Sequence, residues 1–268
     1  VLGADDFAGV SAILEGAASL LESGATHPTL ELLFTTGEEH FCVGAKAFDA
    51  QRLQSKTAYV MDLSGPVGDC AVAAPTLITF SAEVVGKAAH AGFAPEDGVH
   101  AIQVAAAAVA NLPSGRWGDV TVNVGTISGG RATNIVPDSC TVTGEIRALC
   151  HQDALDRLNE IHSEFVEQAQ AVDAKLNFNH TIHITGYRVD TDAPVAQRFK
   201  QACAVVGVTP RFTDTYGGSD CNILSAHGIQ GLVVATAMNN CHAVNEYTTV
   251  EELCKAGRLA QALMEKQD

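Results

Sequence analysis

Two glutamates, Glu38 and Glu39, stand side by side where an apolar run ends, in the stretch TTGEEHFCVGA at residues 35–45. Two adjacent like charges are unfavourable where water is scarce, so a cation or a proton must compensate them at a buried position. Neighbouring side chains diverge, which lets one carboxylate bind a metal ion while the other faces a water molecule that the metal acidifies. The pair therefore suits metal-assisted hydrolysis, with the second carboxylate as general base.

Three more residues with metal-binding side chains flank apolar segments: Asp5 before a helix, Asp62 after the strand-like TAYVM, and His242 beyond GLVVAT. Ligands collect at the carboxyl edge of a parallel sheet, so we expect these residues and the glutamates to share one crevice. Four carboxylates would raise one another's pKa values there unless a divalent cation compensates them. Carboxylates with an imidazole suit zinc or a similar first-row metal, and the set has room for two ions about 3.5–4 Å apart.

Taken singly, each of these residues also has an ordinary structural explanation. Asp5 and its neighbour Asp6 could simply be helix caps, with no role in metal binding. The glutamate pair could be solvated in a loop, Asp62 could begin a turn, and His242 could be a plain loop histidine. The predicted chemistry therefore depends on the whole set.

The apolar pattern predicts the elements that position these side chains. A helix over 7–22, a strand over 29–34, a short helix from near Val43 and a strand over 57–61 alternate, which is typical of a mainly parallel sheet with crossovers. From about residue 77 the order becomes strand, helix, strand, strand, helix, strand, the βαββαβ order of a ferredoxin-like unit. The α/β rhythm returns after Tyr187 and ends with a helix over 249–266.

We therefore predict an α/β protein with a mainly parallel-sheet catalytic domain and an inserted ferredoxin-like α+β domain. The catalytic domain would comprise residues 1–75 and 186–268, and the inserted domain residues 76–185. Exposed strand edges in the inserted domain would permit a homodimer.

Composition argues against several classes of partner. The 268 residues carry a formal net charge of -15, which disfavours binding to nucleic acid. No apolar stretch approaches the roughly 20 residues that span a bilayer, so we expect no membrane partner. Eight cysteines without a CxxC pair predict reduced thiols and a cytoplasmic protein.

Eight ordered stretches resemble the dinuclear zinc metallopeptidase family that includes peptidase T, carboxypeptidase G, the aminoacylases and succinyl-diaminopimelate desuccinylase. They are LGADDFAGV, FTTGEEHFCVGAKAF, VMDLSGP, GKAAHAGFAPEDGVHAI, GTISGGRATNIVPD, GEIRA, YGGSDCNIL and CHAVNEYTTVEEL. The resemblance spans essentially the whole chain, and GADD, HAGFAPE and GGRATNIVPD favour the peptidase T branch.

The resemblance implies a role for each candidate metal-site residue. Asp5 would bridge two zinc ions, Glu39 and His242 would complete one site, Asp62 would bind the other ion, and Glu38 would be the general base. The family's first metal motif, a His-x-Asp on an earlier strand, does not precede Asp5 in this sequence. We therefore expect a catalytic domain that lacks part of its sheet and, in this segment, at most one well-occupied metal site, formed by Asp5, Glu39 and His242.

The resemblance also implies residues that contact the substrate. His90, in the inserted lid domain, would donate a hydrogen bond to the developing oxyanion. Asn134, Arg147, Gly218 and Ser219 match substrate-binding positions. Without a functional role, His90 would be an ordinary loop residue and Arg147 a solvent-exposed strand residue.

Together these features predict a zinc-dependent exopeptidase that hydrolyses short peptides, most like a tripeptide aminopeptidase. Three alternatives stay open: a related amidohydrolase acting on N-acyl amino acids, a metal-binding or interaction fragment without catalytic competence, and a two-metal phosphoesterase. The last explains neither the adjacent glutamates nor His90. The sequence leaves open the exact substrate, the metal and the oligomeric state.

Overall fold

The computed structural model describes residues 3–266, and the chain divides into two compact units. One unit comprises the described residues up to Ala74 together with those from Tyr187 onward. The other comprises Pro75–Gly186, so it is an insertion in the sequence of the first. The predicted boundaries, after residues 75 and 185, lie one residue away from these.

The described residues form helices and strands that are named here in chain order. The α-helices are α1 (Ala4–Ser23), α2 (Val43–Ala47), α3 (Ala101–Asn111), α4 (His151–Gln170), α5 (Pro194–Val206), α6 (Asp220–Ala226) and α7 (Val250–Met264). The strands are β1 (Thr57–Ser64), β2 (Asp69–Ala74), β3 (Thr76–Val85), β4 (Gly115–Trp117), β5 (Val120–Gly129), β6 (Ser139–Ala148), β7 (Lys175–Ile184), β8 (Tyr187–Arg188), β9 (Arg211–Asp214) and β10 (Gln230–Met238). Short 3₁₀ helices occupy Glu38–His40, Ala50–Arg52 and Pro95–Asp97. Among the described helices, none combines the length and apolar character needed to cross a bilayer.

The first unit has an α/β fold around a sheet of order β1-β10-β2-β8, with β9 paired to β2. The α/β class and the mainly parallel sheet are confirmed: the longer pairings, β1 with β10 and β2 with β9, are parallel, whereas β2 makes short antiparallel pairings with β10 and β8. Only residues 65–68 separate β1 from β2. A parallel crossover needs a dozen or more residues, so the chain reverses direction here instead.

The strand predicted over residues 29–34 is wrong. The segment is extended without strand pairing, and two of its apolar side chains, Leu32 and Phe34, are 46% and 48% exposed. A cavity of about 860 Å³ lies between this segment, β1 and α1. A strand needs a hydrogen-bonding neighbour, and within residues 3–266 no strand pairs with this segment, so apolar character alone does not make it one.

Helix α1 brings its N-terminus close to β1 because a glycine lies at the contact. Its buried face includes Ala8, Ala12 and Leu20. A Cβ at Gly9 would lie 2.0 Å from the carbonyl oxygen of Met61, far inside contact distance. Only glycine permits this approach, which places the N-terminal part of α1 against the strand that carries Asp62.

The inserted unit has the predicted βαββαβ order. Its antiparallel sheet runs β4-β5-β6-β3-β7, so the predicted unit is present with one short extra edge strand, β4. Helices α3 and α4 pack on one face, where the buried core includes Ile78, Phe80, Val142 and Phe165. The other face carries polar residues, which explains why β6 alternates in the sequence.

Candidate metal centre

Three side chains from distant parts of the chain converge in the first unit. The Nε2 atom of His242 lies 3.0 Å from an Oδ atom of Asp5 and 2.7 Å from an Oε atom of Glu39. One potential ligand atom from each residue lies within 4.8 Å of the other two. The structure therefore brings together one imidazole and two carboxylates from positions 5, 39 and 242.

The two aspartates at the start of α1 have different contacts. Asp6 accepts a hydrogen bond from the backbone N–H of Gly9 at 3.0 Å and so caps the regular part of α1, which follows the non-helical Asp5 and Asp6. Asp5 points instead to His242. Both have non-helical backbone angles, and the peptide bond between them is cis. The capping explanation thus applies to Asp6 and leaves the carboxylate of Asp5 for the cluster.

The two glutamates also diverge. They lie in the 3₁₀ helix Glu38–His40, which is bounded by left-handed residues at Gly37 and Phe41. Glu39 reaches His242 and is exposed, whereas the partly buried Glu38 accepts a hydrogen bond from the thiol of Cys42 at 3.8 Å. Adjacent positions in the sequence therefore place one carboxylate in the cluster and one beside it.

The electrostatics of this crevice are dominated by negative charge away from water. Burial, followed by the charge of Glu39, raises the pKa of Glu38 to about 7. Burial raises the pKa of Asp6 to about 7 against the opposing hydrogen bond from Gly9. Burial, with the charge of Asp6 next, raises the pKa of Asp62 to about 9. A proton or a cation is therefore needed to offset this charge at neutral pH.

Negative charge also shifts the pKa values of residues within the cluster of Asp5, Glu39 and His242. Burial and the charge of Glu39 raise the pKa of Asp5, although the neighbouring His242 opposes the shift. The charge of Glu39, with that of Asp5, raises the pKa of His242. Carboxylate oxygens and an imidazole nitrogen are ligands of zinc and similar metals, and three protein ligands leave an open position. The donor set therefore fits a catalytic metal ion.

Asp62 lies outside this three-residue cluster as far as the described residues go. It is partly buried in β1, at the point where the pairing of β1 with β10 is irregular between Val60 and Leu63. The charges of Asp6, Glu38 and Asp5 all act on it. Asp62 thus belongs to the same crevice without touching the imidazole of His242.

The predicted substrate-binding turn, Gly218 and Ser219, leads into α6. Ser219 is buried and forms a capping box: its hydroxyl accepts from the N–H of Cys221, and its own N–H donates to Asn222. The next residue, Asp220, accepts a hydrogen bond from the hydroxyl of Thr35 and adds its charge to Glu38 and Asp62. The structure thus gives Ser219 a capping contact and adds Asp220 to the crevice.

Sequence reasoning assigned no role to the carboxylates of Asp220 and Glu246, and it considered Asp6 only as a helix cap. Asp220 and Glu246 both lie in stretches that carry the family resemblance, YGGSDCNIL and CHAVNEYTTVEEL. Their surroundings were the missing signal: Glu246 is buried and Asp220 is partly buried, which a sequence pattern does not show.

The remaining predicted residues lie in the inserted unit. His90 is exposed and pairs with Ile135 through an isolated bridge, and the N–H of Ala91 donates to the carbonyl of Asn134 at 3.0 Å. His90 and Asn134 are therefore neighbours within this unit. Arg147 lies in β6 and forms a 2.8 Å ion pair with Glu145.

These pKa shifts predict how the stability of the metal-free protein changes with pH. Carboxyls whose pKa is raised on folding stabilise the fold below their unfolded pKa, near 4, and lose that contribution as pH rises through the folded value. Because Glu38, Asp6 and Asp62 shift to about 7, 7 and 9, we expect the free energy of unfolding to fall between pH 5 and pH 9. Each of these groups contributes at most about 1.4 kcal/mol per pH unit to this fall, and partial exposure reduces the slope.

Denaturant unfolding in a chelator across this pH range measures the effect. Asp62→Asn should flatten the pH dependence, whereas the control Glu22→Gln, at an exposed position on α1, should leave it unchanged. A stability that rises from pH 5 to pH 9 in the chelated wild type would contradict the prediction.

Comparisons with protein families match two adjoining parts of the chain. Residues 72–173 match the peptidase dimerisation domain, and residues 2–75 match peptidase family M28. The first match covers most of the inserted unit, and the second covers the segment that carries Asp5, Glu38, Glu39 and Asp62.

Individual relatives match nearly the whole chain. YqjE of Bacillus subtilis is 34% identical over 267 residues, which are 99% of this chain and 72% of YqjE. The structure of the aminopeptidase PepT from Bacillus cereus superposes with a TM-score of 0.94 at 37% identity, covering 98% of this chain and 71% of PepT. A tripeptidase from Staphylococcus aureus gives a TM-score of 0.95 at 28% identity, with 98% and 71% coverage.

Proposed function

The chain belongs to the peptidase T-like branch of the M20 metallopeptidases, and from that premise we propose that it is a metal-dependent exopeptidase acting on short peptides, most like a tripeptide aminopeptidase. The observation that carries the proposal is the convergence of Asp5, Glu39 and His242, with Glu38 beside them. The names of the similar PepT and tripeptidase structures support the substrate class.

In this proposal Asp5, Glu39 and His242 hold a metal ion, for which we propose zinc, and Asp62 contributes to a second site. Such an ion supplies Lewis-acid polarisation of the peptide carbonyl and acidifies water. Glu38 accepts a proton from the attacking water and returns it to the leaving amine. Glu38 suits this role because it is partly buried beside the cluster and leaves the contact with His242 to Glu39.

We assign the other candidates to substrate contacts. His90 donates a hydrogen bond to the oxyanion, because this role needs a donor that is not itself a metal ligand. Asn134, Arg147, Gly218 and Ser219 bind the peptide. The pairing of the His90 and Asn134 segments in the structure supports a joint role for these two residues.

Two further proposals concern assembly and location. The match of residues 72–173 to a peptidase dimerisation domain supports a homodimer formed through the inserted unit. None of the eight cysteines forms a disulfide, which supports a reducing compartment, the cytoplasm.

A substrate panel with metal control tests the function. We expect the chain loaded with zinc to release the N-terminal residue from tripeptides with a free α-amine faster than it hydrolyses N-acetyl or N-succinyl amino acids. Chelation should abolish the activity, and adding back zinc should restore it. Product release is measured by liquid chromatography.

Other outcomes would favour the alternatives. Preferential hydrolysis of the N-acyl amino acids would identify an amidohydrolase. Stoichiometric metal binding without hydrolysis of any member of the panel would favour a metal-binding fragment.

A further inference from the structure

A buried carboxylate lies directly behind the cluster of Asp5, Glu39 and His242. Glu246 is only 6% exposed. Its two oxygens accept hydrogen bonds from the backbone N–H groups of Asp5, at 2.8 Å, and Gly3, at 3.3 Å. The partners are 241 and 243 residues away in sequence, so this side chain joins two distant ends of the fold.

Burial of a carboxylate is costly unless hydrogen bonds compensate it. Here the compensation comes from backbone donors at the start of α1, where the N–H groups of a helix have no partners within the helix. Of the two hydrogen bonds, the one from Asp5, at 2.8 Å, is the shorter. Glu246 therefore holds the backbone of Asp5, while the carboxylate of Asp5 lies against His242.

Glu246 belongs to the same compact loop as His242. The loop is closed by a reciprocal pair of 3.0 Å hydrogen bonds between Asn239 and Tyr247, and within it the N–H of Glu246 donates to the carbonyl of Ala243 at 3.1 Å. His242 itself has a left-handed backbone, with φ 64°, which surrounding contacts must maintain. The clamp from Glu246 to Asp5 therefore joins the loop that carries one ligand to the backbone of the other.

We propose that Glu246 is a positioning residue of the metal centre: its buried carboxylate ties the backbone of Asp5 to the His242 loop and so sets the 3.0 Å approach of these two ligands. The inference rests on the metal centre proposed above. Glu246 acts through Asp5 and His242, because its own oxygens are engaged by backbone donors.

The geometry explains why a glutamate suits this position. Two separate N–H donors require two acceptor oxygens. Glutamine has the same length but offers one acceptor oxygen, and its NH₂ group would face an N–H. Alanine offers neither acceptor. The two substitutions therefore remove one and both hydrogen bonds of the clamp.

Cobalt binding tests the proposal without relying on activity. Co²⁺ affinity is measured by calorimetry, and the ligand geometry is followed in the visible absorption spectrum of bound Co²⁺. We expect Glu246→Ala to weaken affinity about 10–100-fold, as removal of partners behind metal ligands typically does, and to alter the spectrum. Glu246→Gln should fall between alanine and wild type. The control Glu251→Gln, at an exposed site on α7, should bind as the wild type does.

A double-mutant comparison shows whether the effect passes through Asp5. In an Asp5→Asn background, Glu246→Ala should cost less Co²⁺ affinity than it does in the wild type. Wild-type affinity and spectrum in both Glu246 variants, or an equal loss in the two backgrounds, would overturn the proposal. If Glu246→Ala does not fold, as judged by circular dichroism, Glu246→Gln decides. Failure of the wild type to bind Co²⁺ would instead refute the metal centre.

Discussion

Replacing Glu38 with glutamine should lower kcat for a tripeptide about 10²–10⁴-fold, the usual contribution of a general base, while metal affinity stays nearly unchanged. Glutamine keeps the size of the side chain but cannot accept the proton of the attacking water. Metal binding should survive because Glu38 is directed to Cys42, whereas its neighbour Glu39 reaches His242.

Steady-state kinetics and metal analysis of the same preparation check this result. The adjacent substitution Glu39→Gln is the matched comparison, since it should weaken metal binding and lower activity in proportion to metal lost. Substantial loss of metal from Glu38→Gln, with Glu39→Gln retaining it, would mean that the roles of the two glutamates are reversed.

Replacing His242 with alanine should nearly abolish metal binding and hydrolysis together. The imidazole contacts both carboxylates of the cluster, at 3.0 Å and 2.7 Å, and its loss leaves two acidic groups facing each other. The fall in metal affinity should exceed the roughly 10–100-fold cost of losing a partner behind the ligands. It should therefore also exceed the effect of Glu246→Ala.

Zinc competition against a chromophoric chelator measures the affinity of the His242 variant. His27→Ala, at an exposed position in the same unit, serves as the control and should keep full affinity. Excess zinc should restore part of the activity if the ligand set is only weakened. Full metal content and full activity in His242→Ala would remove the central support for the exopeptidase.

Much of the fold could be predicted from local pattern. The apolar period of α1 and the alternation in β6 reflect one buried face each, which is written into a short stretch of sequence. The run over residues 29–34 is equally apolar yet forms no strand, because pairing depends on a neighbour that a local pattern cannot specify. The antiparallel pairing of β2 with β10 could not be predicted for a related reason, since β10 lies about 160 residues further along the chain.

Some features of the candidate site could likewise be predicted from the sequence, whereas others required the tertiary structure. The residue types and their positions at the ends of predicted elements indicated a shared crevice, and the family resemblance then singled out Asp5, Glu39 and His242 as one metal site. The carboxylates of Asp220, at the start of α6, and Glu246 were given no role because partial or complete burial depends on the tertiary structure. The choice between Asp5 and Asp6 as helix cap also required the contact of Asp6 with Gly9.

By itself, the amino-acid sequence determined which chemical groups this protein possesses, the order in which they occur, and the α/β architecture with its inserted unit. The tertiary structure decided which of those groups meet, which carboxylates lose water and so have raised pKa values, and that Glu246 holds the backbone of Asp5. The physical reason is that side-chain chemistry and periodicity are local properties. Distances and burial depend on which distant segments pack together, as Asp5 and Glu246 do although they are 241 residues apart.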